Sequence, residues 1–328
     1  MDRQRLKVHV AVHVAQALLD SVRSAWPALD LTYHPHTPYE QPCAQEPGVS
    51  DAEVILGYHA RFALADAPRL RWLHLASDGV DHLRGAPIMS SDVQITNTRV
   101  FGAPIAEYVF ASVLAFYRDF PGMRQRFQME RIYPTNQWAE YCGDELGGKT
   151  MAILGYGEIG RALAKRARAF DMEVIAVRRS VAQPTCQDDV MVYPPASMHA
   201  VLRIADVVVV CLPLTDETAG LIDETALRAM KPTGYLVAVG RGGVIQEDAL
   251  VRALREGWIA GAGVDVYAER PLPPDSPFFD LPNVLMTPHM SGITRQFPPR
   301  LAQLFCENLR RFQADEPLLN LVDKAKGY

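Results

Sequence analysis

Short apolar runs recur along the chain and alternate with stretches whose apolar residues follow a helical spacing. Four such runs stand in the first hundred residues: KVHVAV (7–12), EVILGY (53–58), LRWLHLA (70–76) and VQITNT (93–98). A second series begins at Thr150 and reads TMAILGYG, MEVIAVRR, DVVVVCLP, GYLVAVG, GAGVDVY and VLMTPH. These runs are apolar throughout, which is typical of parallel strands covered by helices on both faces. The pattern predicts an α/β, doubly wound fold.

The two series of strands predict two domains. A long helical pattern (103–127) follows the first series, and another (298–316) follows the last strand of the 328-residue chain. We predict that residues 1–100 and 297–328 form one domain and residues 101–296 the other. Open α/β sheets bind ligands beyond the carboxyl ends of their strands, so the chemistry is expected in a cleft between the domains.

Composition indicates an ordinary globular protein, 48% hydrophobic and 22% charged, with a net charge of -5. This charge gives no reason to expect nucleic acid or an anionic membrane as a partner. The five cysteines are widely spaced without a Cys-x-x-Cys pair, which favours a reducing compartment and predicts no metal site. The N-terminus lacks a signal-peptide pattern, and the longest apolar run, Val207–Leu214, is too short to span a bilayer. We therefore expect a cytoplasmic protein.

A glycine-rich loop follows the first strand of the second series. The sequence MAILGYGEIG places Gly155, Gly157 and Gly160 in a G-x-G-x-x-G pattern. The first glycine allows a tight turn, the second a close approach of a pyrophosphate, and the third close packing of helix and strand. The N-terminus of the next helix offers N–H groups to the phosphates. We predict a dinucleotide site, which also includes Tyr156, Glu158 and Ile159.

Two arginines and a serine, Arg178, Arg179 and Ser180, end the next strand. They stand about twenty residues after the glycines, where an NAD-binding loop places an acid for the ribose 2′-hydroxyl. A guanidinium instead pairs with a 2′-phosphate through charge-assisted hydrogen bonds. We therefore predict that NADP(H) is favoured over NAD(H). The alternative is that Arg178 stacks on the adenine while Arg179 points into solvent.

Several motifs together resemble the D-isomer-specific 2-hydroxyacid dehydrogenase family. They are LHLASDGVDHL (73–83), residues 103–118, residues 201–267, TPHMSG (287–292) and the terminal NLVDKAKGY, in the family's order. The resemblance implies a Rossmann nucleotide-binding domain and a flavodoxin-like substrate domain. It also implies hydride transfer between NAD(P)H and a small 2-oxo acid or D-2-hydroxy acid, with glyoxylate or hydroxypyruvate as the expected substrate.

Reduction of a 2-oxo acid requires groups that hold its carboxylate, polarise its ketone and deliver a proton. Arg241, in VGRGG after an apolar strand, offers a planar fork for the carboxylate and the keto oxygen. His289, in TPHMSG, is suited to protonate the nascent alkoxide. In either case a structural residue is the alternative. The resemblance implies that backbone amides of a substrate-domain loop bind the carboxylate, those of Ser77, Asp78, Gly79 and Val80.

The resemblance assigns further residues to the nucleotide. Asp265 matches the family aspartate near the nicotinamide carboxamide, and Cys211 is expected to be a packing residue rather than a nucleophile. Thr218 lies in the same region, with a capping role as the alternative. The remaining predicted contacts are Leu212, Pro213, Val239, Gly240, Ser291 and Gly292.

One position departs from the family pattern. The family usually carries a glutamate before the Pro-Leu that follows the Asp265 strand, where it pairs with the catalytic histidine, and this chain has Arg270 there. A neighbouring cation disfavours a protonated histidine. Three possibilities are open: Glu269 serves instead, another carboxylate serves, or His289 works unaided with a shifted pH optimum.

Other functions remain open at this point. A dinucleotide-sensing protein, as in the family's corepressor branch, is favoured slightly by Arg270 and disfavoured by the retained Arg241 and His289. A dehydrogenase of the same family acting on 3-phosphoglycerate, formate or phosphite is another alternative. A methyltransferase would want an acid near residue 178.

The family also forms a two-fold dimer through the region equivalent to the long helix and the segment after it, so we expect a homodimer. The alternative is that the aromatic residues of this region pack between the domains. These residues are Phe110, Phe116, Tyr117, Phe127, Tyr133 and Trp138.

Overall fold

The computed structural model describes residues 5–12, 16–34, 48–58, 64–131, 133 and 142–327. Two compact units make up the chain, one formed by Met1–Val100 and Thr294–Tyr328 and the other by Phe101–Ile293. In the described part of the chain, no helix is long and apolar enough to cross a membrane, and no cluster of side chains could hold a metal ion.

The first unit is built on a five-stranded parallel sheet. Its strands are β1 Lys7–Ala11, β2 Asp30–Tyr33, β3 Val54–Gly57, β4 Trp72–Leu75 and β5 Gln94–Thr96. They pair in the order β2-β1-β3-β4-β5, which is the flavodoxin-like order. Helix α1 (Gln16–Ala25) packs against the C-terminal helix, Phe297–Gln313.

The second unit is built on an eight-stranded sheet in which every pair is parallel except β8–β9. Its strands are β6 Thr150–Leu154, β7 Glu173–Val177, β8 Thr185–Gln187, β9 Val190–Tyr193, β10 Val207–Val210, β11 Tyr235–Ala238, β12 Gly261–Val264 and β13 Val284–Met286. Its helices are α2 Gly102–Tyr117, α3 Phe120–Met123, α4 Glu158–Ala169, α5 Met198–Ile204, α6 Glu224–Ala229 and α7 Glu247–Arg255. The short helices include one π-helical turn, Arg124–Met129.

The order of these strands, β13-β12-β11-β10-β6-β7-β9-β8, is that of a Rossmann fold. Strand β6 lies at the centre. Strands β7, β9 and β8 lie on one side of it, and β10 to β13 follow one another on the other side. The predicted α/β fold with two doubly wound sheets is therefore confirmed.

Burial on both faces explains why the central strands are apolar throughout. All four valines of β10 are at most 2% exposed. Helix α4 covers one face with Leu163 and Ala167, both fully buried. A strand with two buried faces favours apolar side chains, so β-branched residues fill β10.

The prediction of one continuous helix over 103–127 is wrong. Helix α2 ends at Tyr117, and Asp119 adopts a left-handed backbone with a φ of 47°. Its side chain accepts a hydrogen bond from the amide of Gly122 at 3.1 Å and so caps a new helical turn. Pro121 follows in this turn, where its missing N–H is tolerated.

Half of the aromatic residues expected at a dimer interface lie in the core of the second unit. Phe110 and Tyr117 are 5% and 7% exposed, and Phe116 stacks on Tyr235 with 4.2 Å between ring centroids. Phe127 and Tyr133 are exposed and contact each other. Trp138 lies outside the described residues.

A polar network is buried in the sheet of the first unit. The His74 imidazole contacts the hydroxyl of Thr96 at 2.7 Å and that of Thr98 at 3.1 Å. The indole of Trp72 donates to the same Thr96 hydroxyl at 2.8 Å. Burial lowers the pKa of His74 to about 3, so the imidazole is neutral in the folded protein.

This network makes stability depend on pH. The unfolded chain protonates His74 below its ordinary pKa of 6.5, whereas the folded chain does not until about 3. Stability is therefore fully present above pH 6.5 and is lost as the pH falls towards 3. Between pH 7 and 4.5 the free energy of unfolding should fall by about 2.5 kcal/mol more in the unaltered protein than in His74→Gln, as measured by urea unfolding. The exposed His82→Gln should follow the unaltered protein, and parallel curves for all three would contradict the prediction.

Candidate active site

Each predicted residue from the Gly155 loop to the His289 loop follows a strand of the second sheet. Because these strands are parallel, their carboxyl ends lie along one edge. The order along this edge is His289 after β13, Asp265 after β12, Arg241 after β11, Cys211 after β10, Gly155 after β6 and Arg178 after β7. The sheet thus brings the predicted residues to adjacent loops.

The three glycines of the β6–α4 loop meet three different requirements. Gly155 has a φ of +105°, and a β-carbon there would lie 2.9 Å from the carbonyl oxygen of Cys211. A β-carbon on Gly160 would lie 2.6 Å from the carbonyl oxygen of Gly155. A β-carbon on Gly157 would enter open space at the N-terminus of α4. The loop therefore leaves a cradle that fits a pyrophosphate beside Gly157.

The other residues of this loop pack against, or hydrogen-bond to, residues of the second unit. Tyr156 is buried, and Ile159 packs against the core. The Glu158 carboxylate accepts a hydrogen bond at 3.0 Å from the amide of Gly102, the first residue of α2. Glu158 therefore ties the glycine loop to the start of α2 and satisfies a terminal amide.

The two arginines after β7 have different partners. The guanidinium of Arg178 is half-buried and donates to the Gln187 side-chain oxygen on β8 at 3.1 Å. Arg179 is exposed and forms a 2.5 Å ion pair with Glu217. Ser180 is exposed. A neutral amide thus orients Arg178 without cancelling its charge, and a carboxylate compensates Arg179.

The loop after β10 is closed by its own hydrogen bonds. The Cys211 thiol donates to the carbonyl oxygen of Gly155 at 3.0 Å, and burial raises its pKa to about 12. A thiol that keeps its proton is a packing residue, in agreement with the sequence interpretation. The Thr218 hydroxyl donates to the Pro213 carbonyl at 2.6 Å and accepts from the Thr215 amide at 2.8 Å. These bonds fit the capping alternative for Thr218.

Arg241 lies in a loop that packs against both neighbouring loops. A β-carbon on Gly240 would clash with the backbone of Leu212, and one on Gly242 would clash with the backbone of Tyr267. The half-buried Arg241 donates to the Gly240 carbonyl at 3.0 Å, and Val239 is buried beneath it. Close backbone contacts on both sides fix the base of the Arg241 side chain.

Asp265 holds the loop that carries His289. Its carboxylate is fully buried and accepts hydrogen bonds from the Thr287 hydroxyl at 2.6 Å, the Met290 amide at 2.8 Å and the Ser291 amide at 3.0 Å. His289 stands between these donors, half-buried and with a left-handed φ of 59°. Gly292 then passes the Phe101 ring, which a β-carbon would approach to 2.9 Å.

The segment that departs from the family pattern lies at the surface. Glu269 and Arg270 are both exposed. The nearby Glu247 accepts a hydrogen bond at 2.6 Å from the Ala268 amide, and burial, with the charges of Asp248 and Glu269, raises the pKa of Glu247. The suggestion that Glu269 serves His289 stays a prediction.

The predicted carboxylate-binding loop follows β4 in the first unit. The Ser77 hydroxyl donates to the Gly79 carbonyl at 3.1 Å, and the Asn97 amide donates to the Asp78 carbonyl at 2.6 Å. Val80 is buried and begins a short 3₁₀ turn. No acceptor among the described residues lies against the amide N–H groups of Gly79 and Val80. The loop is thus held in place while two donors stay available.

A sequence model of the NAD binding domain of D-isomer specific 2-hydroxyacid dehydrogenases matches residues 110–291, within the second unit. The chain belongs to the D-isomer specific 2-hydroxyacid dehydrogenase family. The predicted family membership is confirmed, as is an enzyme of the NAD(P)-dependent D-2-hydroxyacid dehydrogenase type that uses a nicotinamide dinucleotide.

Individual members of this family resemble the chain over most of its length. The glyoxylate reductase of Pyrococcus furiosus is 34% identical over 269 residues, covering 79% of this chain and 77% of the relative. A crystal structure of a family protein from Aeromonas salmonicida has 32% identity and a TM-score of 0.83, covering 98% and 100% of the two chains. The Xanthobacter autotrophicus enzyme, in complex with NADPH and MES, has 29% identity and a TM-score of 0.84, covering 99% and 100%.

The sequence did not reveal the hydrogen-bond and ion-pair partners of the predicted site residues. Gln187 orients Arg178 from a three-residue strand that the apolar pattern does not mark, and Glu217 pairs with Arg179. Thr287 contacts Asp265, and the hydroxyl of Tyr108 lies 2.7 Å from that of Thr287. Thr287 could have been suggested as a supporting residue, because the TPHMSG motif places it two residues before His289.

The glycine geometry predicts opposite effects for two alanine substitutions. Gly157→Ala should leave the free energy of unfolding within about 0.5 kcal/mol of the parent because its β-carbon enters open space. It should raise the nucleotide dissociation constant at least about tenfold, since that space is the expected phosphate position. Gly160→Ala should cost about 1–3 kcal/mol of stability through overpacking. Urea unfolding and nucleotide titration by calorimetry measure both effects, and equal nucleotide affinity for Gly157→Ala and the parent would contradict the assignment.

Proposed function

We propose that the protein is an NADPH-dependent reductase of small 2-oxo acids, with glyoxylate or hydroxypyruvate as substrate. The arrangement that carries this proposal is the row of loops at one sheet edge, where Arg241 and the Asp265-bound His289 loop follow neighbouring strands β11, β12 and β13. The name of the P. furiosus relative, a glyoxylate reductase, supports the choice of substrate.

We assign the two domains by their loops. Residues 101–296 bind the nucleotide through the Gly155–Gly160 loop, and residues 1–100 with 297–328 bind the substrate. The amides of Gly79 and Val80 are the donors for the substrate carboxylate, because they lack acceptors among the described residues and the loop that presents them is fixed by Asn97.

The protein residues then divide the work of reduction. NADPH, when bound, supplies the hydride to the carbonyl carbon. Arg241 binds the 2-oxo acid through its planar guanidinium and polarises the keto oxygen. His289 donates a proton to the same oxygen as negative charge develops on it. Asp265 keeps the histidine loop in place, and Ser291 and Gly292 complete that loop.

The preference for NADPH rests on Arg178. Its partner Gln187 is neutral, so the full positive charge is retained for a 2′-phosphate, which accepts charge-assisted hydrogen bonds. Arg179 contributes less because Glu217 already compensates its charge. The NADPH bound to the related X. autotrophicus structure supports the same preference.

The first test is steady-state reduction of glyoxylate and hydroxypyruvate with NADPH and NADH side by side. We expect kcat/KM to be higher with NADPH, and Arg178→Gln to reduce that preference at least about tenfold, the effect of losing one charged hydrogen bond. Arg179→Gln should have a smaller effect, and Lys165→Gln, an exposed position on α4, none. His289→Gln should abolish turnover while nucleotide binding persists. Nucleotide binding without turnover on any 2-oxo acid in the unaltered protein would contradict the proposed reductase.

We also propose that the protein is a homodimer. The surface around the break after α2 carries three exposed apolar side chains, those of Phe120, Phe127 and Met129, which are 59%, 55% and 64% exposed. Apolar side chains exposed within one short segment fit a surface that a second copy of the chain covers. Light scattering should give twice the 36.4 kDa mass of the chain, and Phe120→Ser with Phe127→Ser should shift the protein towards monomer. A monomer mass for the unaltered protein at micromolar concentration would contradict this proposal.

A further inference from the structure

We propose that Tyr108 and Thr287 act with Asp265 as positioning residues for His289, in place of the carboxylate that the family carries at position 270. This inference rests on the proposed role of His289 as the proton donor. The three residues come from three elements, helix α2 and the loops after β13 and β12. Tyr108, Thr287 and Asp265 form one continuous series of hydrogen bonds that ends on the backbone of the histidine loop. We call these three residues the strap.

The chain of hydrogen bonds begins at the buried Asp265 carboxylate. One oxygen accepts from the Thr287 hydroxyl at 2.6 Å and from the Met290 amide at 2.8 Å, and the other accepts from the Ser291 amide at 3.0 Å. The Asp265 side chain is removed from solvent, so these three hydrogen bonds do not compete with water. The donors lie two residues before His289 and one and two residues after it. The loop is therefore anchored on both sides of the histidine.

The direction of the next bond follows from the number of protons. A threonine hydroxyl has one proton, and Thr287 gives it to the Asp265 carboxylate. Thr287 must therefore accept from the Tyr108 hydroxyl, which lies 2.7 Å away. Burial raises the pKa of Tyr108 to about 12, so this phenol keeps its proton at any pH used for activity. Tyr108 and Thr287 thus act as oriented donors in series.

The backbone of His289 explains why such a strap is required. Its φ of 59° is left-handed, which a residue with a side chain adopts at a cost unless its surroundings impose it. The anchored backbone on either side imposes it here. A catalytic group must be held within about 0.5 Å and about 10–20° of its productive geometry. Loosening the strap should therefore reduce the fraction of His289 that faces the substrate correctly.

A second tyrosine interacts with the strap. Tyr267 interacts electrostatically with Asp265 and Tyr108 and donates its own hydroxyl to the Val264 carbonyl at 3.0 Å. Glu269 and Arg270, in the segment where the family has its glutamate, are exposed. The strap is thus a polar system, anchored on the buried Asp265, that the structure connects to the histidine loop.

The test compares two tyrosines that bridge α2 to the sheet. Tyr108→Phe removes the hydroxyl that reaches Thr287, and Thr287→Val removes the next one. Tyr235→Phe is the matched control, because the hydroxyl of the buried Tyr235 bonds to Ser112 of α2 at 2.8 Å and to no described residue of the histidine loop. Thr287→Ser retains the hydroxyl and should restore activity. We expect Tyr108→Phe to lower kcat about tenfold with an unchanged dissociation constant for NADPH, and Tyr235→Phe to keep the parental kcat at a similarly lowered thermal midpoint.

The pH profile and one spectroscopic measurement complete the test. The apparent pKa values in the kcat/KM profile should shift in Tyr108→Phe and Thr287→Val and stay fixed in Tyr235→Phe. The ¹³Cε1 resonance of His289, assigned by its loss in His289→Gln, should move in the same two variants without any substrate present. If kcat, pH profile and resonance are all parental in Tyr108→Phe and Thr287→Val, the strap is only structural and the inference is wrong. If the unaltered protein has no turnover, the proposed function fails while the resonance still decides the strap.

Discussion

Burial of a parallel sheet on both faces is the constraint on which the second unit depends. Parallel strands cannot be joined by tight turns and need crossover connections, and the seven strands that run parallel all end at the same edge of the sheet. The interior of the sheet is packed with apolar side chains, and the polar group of Tyr235 there is taken up by a hydrogen bond with Ser112. Chemistry is therefore confined to the first residues after each strand. Gly155, Arg178 and Asp265 each follow the last residue of their strand directly.

Contacts between neighbouring loops turn this row into a defined site. The Cys211 thiol bonds to the Gly155 carbonyl, and the backbone at Gly240 packs on Leu212. Gly242 in turn packs on the backbone of Tyr267. Each contact is made by a residue without a side chain or with a small protonated one, because backbone must approach backbone. A larger residue at any of these points would separate two loops.

The sequence was informative where periodicity or a motif reports burial directly. The four valines of β10 and the glycine spacing after β6 predicted elements and a loop that the structure contains. The strand pair β8–β9 was missed because three or four residues with mixed burial give no period, and its turn uses Asp188 and Asp189 with left-handed backbones rather than glycine. The break after α2 was missed because the apolar residues on both sides of Arg118 and Asp119 were joined into one pattern, although Asp119 followed by Pro121 and Gly122 is a local signal for a new helix start.

Residues that support the site were the hardest to predict, for a physical reason. Tyr108 and Thr287 are separated by 179 positions, and nothing in the local sequence of either indicates the other. Such pairings arise from the tertiary packing of α2 on the sheet. The same packing also limits how far the arginine at position 270 can affect the histidine loop. In water, two unit charges 4 Å apart interact by about 1 kcal/mol, and salt weakens this interaction further. Hydrogen bonds to the buried Asp265 carboxylate are not screened in this way, so geometry held from the interior tolerates a change of charge at the surface.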